Sequence, residues 1–387
     1  MSLRPDQALA LLLRAVRPLA PRRLPLAEAA GLALARPLAA RGDLPRLDVS
    51  AVDGYAVAAY AKAGVRLPLG PAIAAGAAPG RLRPGWARPI YTGAPLPRGA
   101  DRVVPQELAD AADGGVRFSA VAAPGANVRR RGEELRRGSP GLAAGLPLTP
   151  ERVGFAAALG QGAVWIRPQP RVAVVVNGDE LRPVGTALRP GQIWDVNGPL
   201  IRAWLGRRGP APAGASVGDQ AAALGRALAA GLDGADLLVC SGGASVGARD
   251  HLRPALRALG VRTLFWGVAQ KPGKPLYAGT KGRTLVLGLP GNPAAAALGL
   301  AYYAAPLLAA LQGLPAPRAR RVTAARALPG DGAKTLFYKA RVDARGRAEP
   351  LGAQGSHMLS SLALADGWLE LAPGGLARGQ AARLWAL

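Results

Sequence analysis

Ser241-Gly-Gly-Ala-Ser-Val-Gly247, Lys271-Pro-Gly-Lys-Pro275 and Gly288-Leu-Pro-Gly-Asn-Pro293 are three glycine- and proline-rich loops that decide how the chain is read. The first follows the apolar run Leu237 to Cys240 and the third follows Leu285 to Leu287, so each sits where a strand runs into a helix-forming segment. Helix N-termini carry unpaired N–H donors and partial positive charge, and glycine lets the backbone approach an anion with no Cβ in the way. With Lys271 and Lys274 in the middle loop, the pattern points to an α/β domain that handles phosphates or oxyanions.

Working outward, Val172 to Val176, Leu237 to Cys240 and Leu285 to Leu287 read as buried strands. Gly198 to Leu205, Gln220 to Ala230 and Ala294 to Leu308 read as helices. This alternation predicts a doubly wound parallel sheet over residues 168–314. Helices are expected at Pro5 to Val16, Leu26 to Ala33 and Pro150 to Leu159. Between Gly54 and Asn127 short apolar runs are broken by Gly and Pro at close intervals, the pattern of a small inserted β domain. Runs at Arg321 to Ala325, Leu336 to Val342, Trp368 to Leu371 and Ala382 to Ala386 follow a Pro-rich linker and predict a C-terminal β-barrel-like domain. The expected organisation is an N-terminal discontinuous α/β region over 1–53 and 128–167, the insert over 54–127, the central domain over 168–314 and the β domain over 315–387.

Composition narrows the class. The 387 residues are 50% hydrophobic and carry a formal net charge of +25. The excess is arginine spread through an Ala-, Pro- and Gly-rich chain with only four Phe and seven Tyr to stack bases, so no nucleic-acid partner is expected; the charge would instead steer small anions. Arg, Pro and Gly interrupt the long apolar runs and Leu9 to Leu13 is too short for a signal sequence, so a cytoplasmic chain without a membrane span is expected. One cysteine and two histidines are too few for a zinc or iron–sulfur site, and Cys240 reads as a core thiol; any metal would be hard and oxygen-bound.

Further phrases precede the three loops: Asp48-Val-Ser-Ala-Val-Asp-Gly-Tyr-Ala-Val57, Thr92-Gly-Ala-Pro-Leu-Pro-Arg-Gly-Ala-Asp101, Arg130-Arg-Gly-Glu-Glu134, Asn177-Gly-Asp-Glu-Leu181 and Gly191-Gln-Ile-Trp-Asp-Val-Asn197. In this order, from about Asp6 to the C-terminus, they closely resemble the MoeA family of molybdopterin molybdenumtransferases, whose eukaryotic relatives include the E domain of gephyrin. The resemblance implies a MogA-like central domain and a homodimer with its site shared between subunits. It also implies insertion of molybdate into adenylylated molybdopterin, with hydrolysis and AMP release, assisted by Mg2+ or another divalent cation. Contact with the adenylyltransferase of the pathway is a further expectation. Two other readings are an adenylyltransferase, which resembles residues 168–314 alone, and a gephyrin-like scaffold that binds without turnover.

Carried over motif by motif, Asp250, Glu180, Asp53 and Glu134 become the candidate catalytic carboxylates, with Asp250, Glu180 and Asp219 for the cation. Ser241, Gly242, Gly243, Ser245, Gly247, Pro290, Gly291 and Asn292 would bind the nucleotide-pterin substrate, and Lys271, Lys274, Lys339 and Ser356 the molybdate. For Glu180 and Asp250 the plain alternative is a solvated surface carboxylate. For Asp53 it is an Asx turn, and for Asp219 a helix cap. Three positions depart from the family: Gly-Glu-Glu replaces Gly-Glu-Asp at 132–134, Gly267 replaces a lysine, and Lys339 stands where an arginine is usual, losing the bidentate fork.

Overall fold

A computed structural model describes residues 2–209, 211–242 and 251–387 and divides them into two compact units, residues 1–22 with 167–387 and residues 23–166. In the larger unit, α1 (Pro5–Ala15) precedes a sheet built from β1 (Val172–Asn177), β2 (Ala213–Val217), β3 (Leu237–Ser241), β4 (Arg262–Trp266), β5 (Tyr277–Lys281) and β6 (Thr284–Leu289). Their order is β2-β1-β3-β6-β5-β4. The first four strands are parallel, as their apolar runs predict. β5 alone runs antiparallel, to both β6 and β4, a departure from the fully parallel expectation. The reason is local: only Gly282 and Arg283 separate β5 from β6, and a two-residue loop can join only antiparallel neighbours.

Strand periodicity divides the core in two. Val174, Val176, Leu237, Val239, Leu285 and Leu287 face α1, α2 (Asn197–Gly206) and the long helix that starts at Pro293. Ala173, Val175, Leu238, Cys240 and Val286 face the opposite way, against α3 (Ala221–Leu232) and α4 (Leu252–Ala258). Cys240 is buried there, and desolvation pushes its thiol up to about 12, so it is an inert core group.

The long helix, α5 (Pro293–Leu311), changes to π geometry over Leu300–Ala304 before Pro306, which lacks the N–H that a regular ladder needs. It is long and apolar enough to cross a membrane, yet 89% of it is buried inside the protein, as expected of a core helix. The chain then forms β7 (Arg320–Ala324), β8 (Thr335–Val342), β9 (Arg347–Pro350), β10 (Gly367–Leu371) and β11 (Ala381–Ala386). Pairing β8-β9-β7-β11-β10 closes through β10 and β8 into a barrel around Val322, Leu336, Leu369, Leu371 and Leu384.

In the smaller unit, residues 26–40 and 142–166 share one apolar cluster. Two further clusters lie within residues 56–118, where short strands including Gly54–Val57, Arg88–Ile90 and Arg102–Pro105 pair. The helix expected at Leu26 to Ala33 is only a 3-10 turn, Leu26–Glu28. Gly31 has a φ of +76°, and the N–H groups of Gly31 and Leu34 donate to the carbonyls of Leu148 and Leu146, so long-range pairing overrides helix propensity.

Leu287 is fully buried on the central strand β6. Leu287→Ala is expected to destabilise the larger unit by about 2–5 kcal/mol, measured by urea unfolding followed by far-UV circular dichroism.

Candidate functional site

The parallel strands end together, and the polar residues at their C-terminal edge hold one another in place. Asn177, at the end of β1, donates Nδ2 to Asp219 Oδ1 at 2.7 Å. The loops after β1 and β2 interlock further, because Asp219 N donates to Asp179 Oδ1 at 2.8 Å and Asp179 N to Asp219 Oδ2 at 3.3 Å. Asp219 therefore does not cap α3, whose N-cap is Gln220. At the start of α2, Asn197 donates Nδ2 to Ser241 Oγ at 2.9 Å and to the Gly291 carbonyl at 2.7 Å. Ser241 is fully buried at the end of β3 and donates to the Pro290 carbonyl at 3.3 Å, so its hydroxyl joins two loops instead of facing solvent as a free phosphate donor.

Glycine is required where these loops meet. Gly242 has a φ of +100°, and a Cβ there would lie 2.1 Å from the Asn177 carbonyl oxygen. A Cβ on Gly291 would lie 3.9 Å from Gly242 Cα, so bare backbone faces bare backbone. A cavity of about 800 Å³ opens at this edge, lined by Glu180, Asp219, Ser241, Gly242, Gly291 and Asn292 among others. Glu180 is exposed and its carboxylate lies over Gly178, where a Cβ would be 2.7 Å from Oε2. Gly243, Ser245, Gly247 and Asp250 lie outside the described residues.

A second cavity, of about 1070 Å³, lies between the middle loop and the barrel. Lys271, Lys274 and Ser356 line it together, and Arg326 and Lys334 add cations that sequence reading did not single out. Gln270, also missed, supports the loop from beneath: it is almost wholly buried, donates Nε2 to the carbonyls of Pro272 and Gly273 at 3.2 Å each, and accepts from the Tyr303 hydroxyl at 2.5 Å. Burial holds the Tyr303 phenol far above its ordinary value, so it stays a donor. The two cavities share Pro275, Pro290, Asn292 and His357.

Lys339 departs from expectation. It is 1% exposed and lines neither cavity; its Nζ donates to the carbonyls of Gly355 and Met358 at 3.0 Å each. Burial pushes its ammonium below the ordinary lysine range. Its contacts hold the segment that presents Ser356 and His357, beside the cavity where an anion is expected. The Gln354 carboxamide completes the clasp, accepting from Lys339 N and donating to Lys339 O at 2.9 Å each. The Ser356 carbonyl accepts from Ala294 N in the first turn of α5 at 3.0 Å.

In the smaller unit, Asp53 is exposed and accepts from Thr92 N at 2.7 Å and Thr92 Oγ1 at 2.8 Å, which ties two sequence motifs together and lowers its carboxyl below the usual range. The next residue must be glycine, because a Cβ on Gly54 would lie 2.1 Å from the Val104 carbonyl oxygen. Exposed Glu134 sits on a loop pinned by two other aspartates. Asp48 accepts from Arg131 N at 2.8 Å and Arg130 Nη1 at 2.9 Å. Asp43 accepts from Arg137 N at 2.8 Å and from Arg131 Nε. The backbone donors, then the guanidinium groups, hold both carboxyls below the usual range.

Comparison with known proteins agrees with this architecture. The chain matches the MoeA N-terminal region (domain I and II) over residues 3–160, a probable molybdopterin binding domain over 173–310 and the MoeA C-terminal region (domain IV) over 321–387. It is 36% identical to molybdopterin molybdenumtransferase 2 of Mycobacterium tuberculosis, covering 95% of this chain and 94% of the relative. It is 35% identical to the molybdopterin molybdenumtransferase of Synechococcus elongatus, covering 92% of each. A solved molybdopterin biosynthesis MoeA protein from Pyrococcus horikoshii superposes with a TM-score of 0.85 at 26% identity, covering 100% of this chain and 99% of that one. The match to the N- and C-terminal regions disfavours the single-domain adenylyltransferase reading.

Two outcomes follow from these contacts. Lys339→Met should leave the fold intact but loosen the Gly355–Met358 segment, so limited proteolysis should cut there faster; an unchanged rate would remove its clasping role. The Asp43, Asp48 and Asp53 carboxyls lie lower in the folded protein than when unfolded. Their stabilisation is therefore complete above roughly pH 4, the unfolded aspartate value, and is lost as pH falls through the lower folded values. Asp48→Asn should flatten the acid limb of a pH titration monitored by near-UV circular dichroism.

Proposed function

This chain belongs to the molybdopterin molybdenumtransferase family, whose reaction inserts molybdenum into molybdopterin, and on that premise we propose how its own residues divide the work. The reading is carried by one observation: a glycine-edged cavity and a lysine-lined cavity share Pro275, Pro290, Asn292 and His357 as walls. Adenylylated molybdopterin carries an adenylate, a diphosphate and a dithiolene in line, and two adjoining cavities of about 800 and 1070 Å³ suit such an extended ligand. The diphosphate would lie on the bare backbone of Gly242 and Gly291 near the N-terminus of α5, whose dipole favours an anion. Molybdate, as substrate, would be met by Lys271 and Lys274 with the Ser356 hydroxyl, placing the dithiolene near Asn292 and His357.

Hydrolysis breaks the phosphoanhydride with one water and releases AMP, while the molybdenum of molybdate becomes bound to the two dithiolene sulfurs and one of its oxygens leaves as water with the two thiol protons. The donor chemistry suits a hard divalent cation such as Mg2+. The carboxylates of Glu180 and Asp219 are both oxygen donors at the cavity edge. Among the described residues no three His, Cys, Asp or Glu form a metal-binding group; Asp250, expected from its motif to take part, would add a third carboxylate. Bound there, the cation would neutralise charge on the diphosphate. Asp53 and Glu134, on the smaller unit, would act from the second subunit of a homodimer. The proposed setting is cytoplasmic, beside the adenylyltransferase that supplies the substrate.

Adding molybdate to protein loaded with adenylylated molybdopterin should release AMP, whereas a scaffold would release none. Lys274→Ala should weaken molybdate binding in calorimetry by about 1.5–3 kcal/mol, the value of a charge-assisted hydrogen bond; an unchanged dissociation constant would place the anion elsewhere. Asp250→Ala and Asp53→Ala should each be inactive alone and partly active when mixed with verified subunit exchange. Absence of complementation would refute the shared site.

A further inference from the structure

The seven tryptophans of this arginine-rich chain are not treated alike. Arginine guanidinium groups lie over Trp86, Trp165, Trp204 and Trp266, 3.7–4.9 Å from the ring centres. Trp385 packs on Tyr302, and Trp368 is fully buried. Trp194 has no ring or cation partner among the described residues and is 46% exposed. It nevertheless stands in a built position. Ile193–Trp194 pairs in parallel with Leu181–Arg182, Ile193 N donates to the Glu180 carbonyl at 2.9 Å, and the indole Nε1 donates to the Thr186 carbonyl at 2.8 Å, fixing the ring. Trp194 lines the cavity of Gly242 and Gly291, beside the half-exposed apolar side chains of Ile193 and Leu188.

A second observation in the same cavity points to a ligand. Asn177 and Asn197 are 3% and 7% exposed, and both line it. Their Nδ2 groups donate to a carboxylate and to a carbonyl, which fixes the amide orientation, and each Oδ1 is buried with no partner. Unpaired acceptors call for N–H or O–H donors, which ionised phosphates lack but amino-substituted heterocycles and ribose possess. An uncovered indole face beside unpaired acceptors has the character of a site for a flat, N–H-bearing ring.

We propose that Trp194 is the stacking platform for a planar heteroaromatic ring of the substrate, either the pterin or the adenine, at the rim of the Gly242–Gly291 cavity. The inference rests on the cavity assignment made under Proposed function and adds the ring subsite to it. Arginine lies over Trp266, the other exposed indole, whereas Trp194 has no such cover among the described residues, and stacking on it would align the ring while the diphosphate lies over the glycines.

The test titrates the full-length protein with AMP, pterin-6-carboxylate and ribose 5-phosphate, following tryptophan emission and calorimetric affinity together. The parent is expected to bind a ring-bearing probe with quenched emission. Trp194→Phe should keep that affinity within about threefold but lose most of the quench, and Trp194→Ala should lose about tenfold or more, the order of a base–aromatic stack. Ribose 5-phosphate should bind parent and variant equally. Loss confined to AMP assigns adenine, and loss confined to the pterin probe assigns the pterin. Equal binding of both ring probes by parent and Trp194→Ala overturns the proposal. So does a fall in sedimentation mass with ring affinity intact, which would make Trp194 a subunit contact. If the parent binds neither ring probe, the cavity assignment itself fails and the platform with it. Should the alanine variant aggregate, Trp194→Gln serves in its place, with far-UV circular dichroism as the fold control.

Discussion

The cationic loop depends on one buried carboxamide. Gln270 satisfies two carbonyls of the Pro272–Gly273 turn with its amide nitrogen and accepts a hydrogen bond from the Tyr303 hydroxyl, on the core helix, with its oxygen. Its backbone, with that of Lys271, forms a short parallel ladder with Thr335 and Leu336 of the barrel. Helix, loop and barrel thus meet at one residue. Two exposed lysines beside a mobile turn would lose much of their attraction for an anion to the entropy of ordering, whereas a turn held from within presents them at little further cost.

The sheet edge solves the opposite problem, that of bringing backbones close without burying unpaired groups. Asn177, Asn197 and Ser241 spend their hydrogens on Asp219, Gly291 and Pro290, so loops that follow different strands share one polar network. Glycine at 242 removes the Cβ that would collide with the Asn177 carbonyl. The result is anion-seeking character made by local geometry. The global charge of +25 raises the arrival rate of anions but cannot by itself select one.

Lys339 is a cation whose charge is spent inside the fold. An arginine fork at this position could reach an oxyanion in two directions, while the lysine's point charge is folded onto two backbone carbonyls. Burying an ammonium is costly, and its depressed protonation equilibrium records that cost. The contacts that offset it fix the segment carrying Ser356 and His357, while Arg326 and Lys334 bring other positive charge to the same cavity.

Local patterns carried much of this protein. Val172 to Val176 and Leu237 to Cys240 could be read as buried strands because burial on both faces demands continuous apolar residues, and the glycine loops after them could be read because close backbone approach admits no other residue. The ordered motifs likewise identified the family from sequence alone. What one dimension does not record is which distant groups pair. The helix expected at Leu26 to Ala33 gave way to hydrogen bonds with Leu146 and Leu148. Gln270 looked like an unremarkable polar residue until the Tyr303 hydroxyl and two carbonyls surrounded it. Nothing in the sequence showed that the Lys339 ammonium would lie on the carbonyls of Gly355 and Met358. Side-chain chemistry is written in the sequence, but whether a polar group is spent inside the fold or left for a ligand depends on partners that only tertiary packing brings within hydrogen-bonding distance.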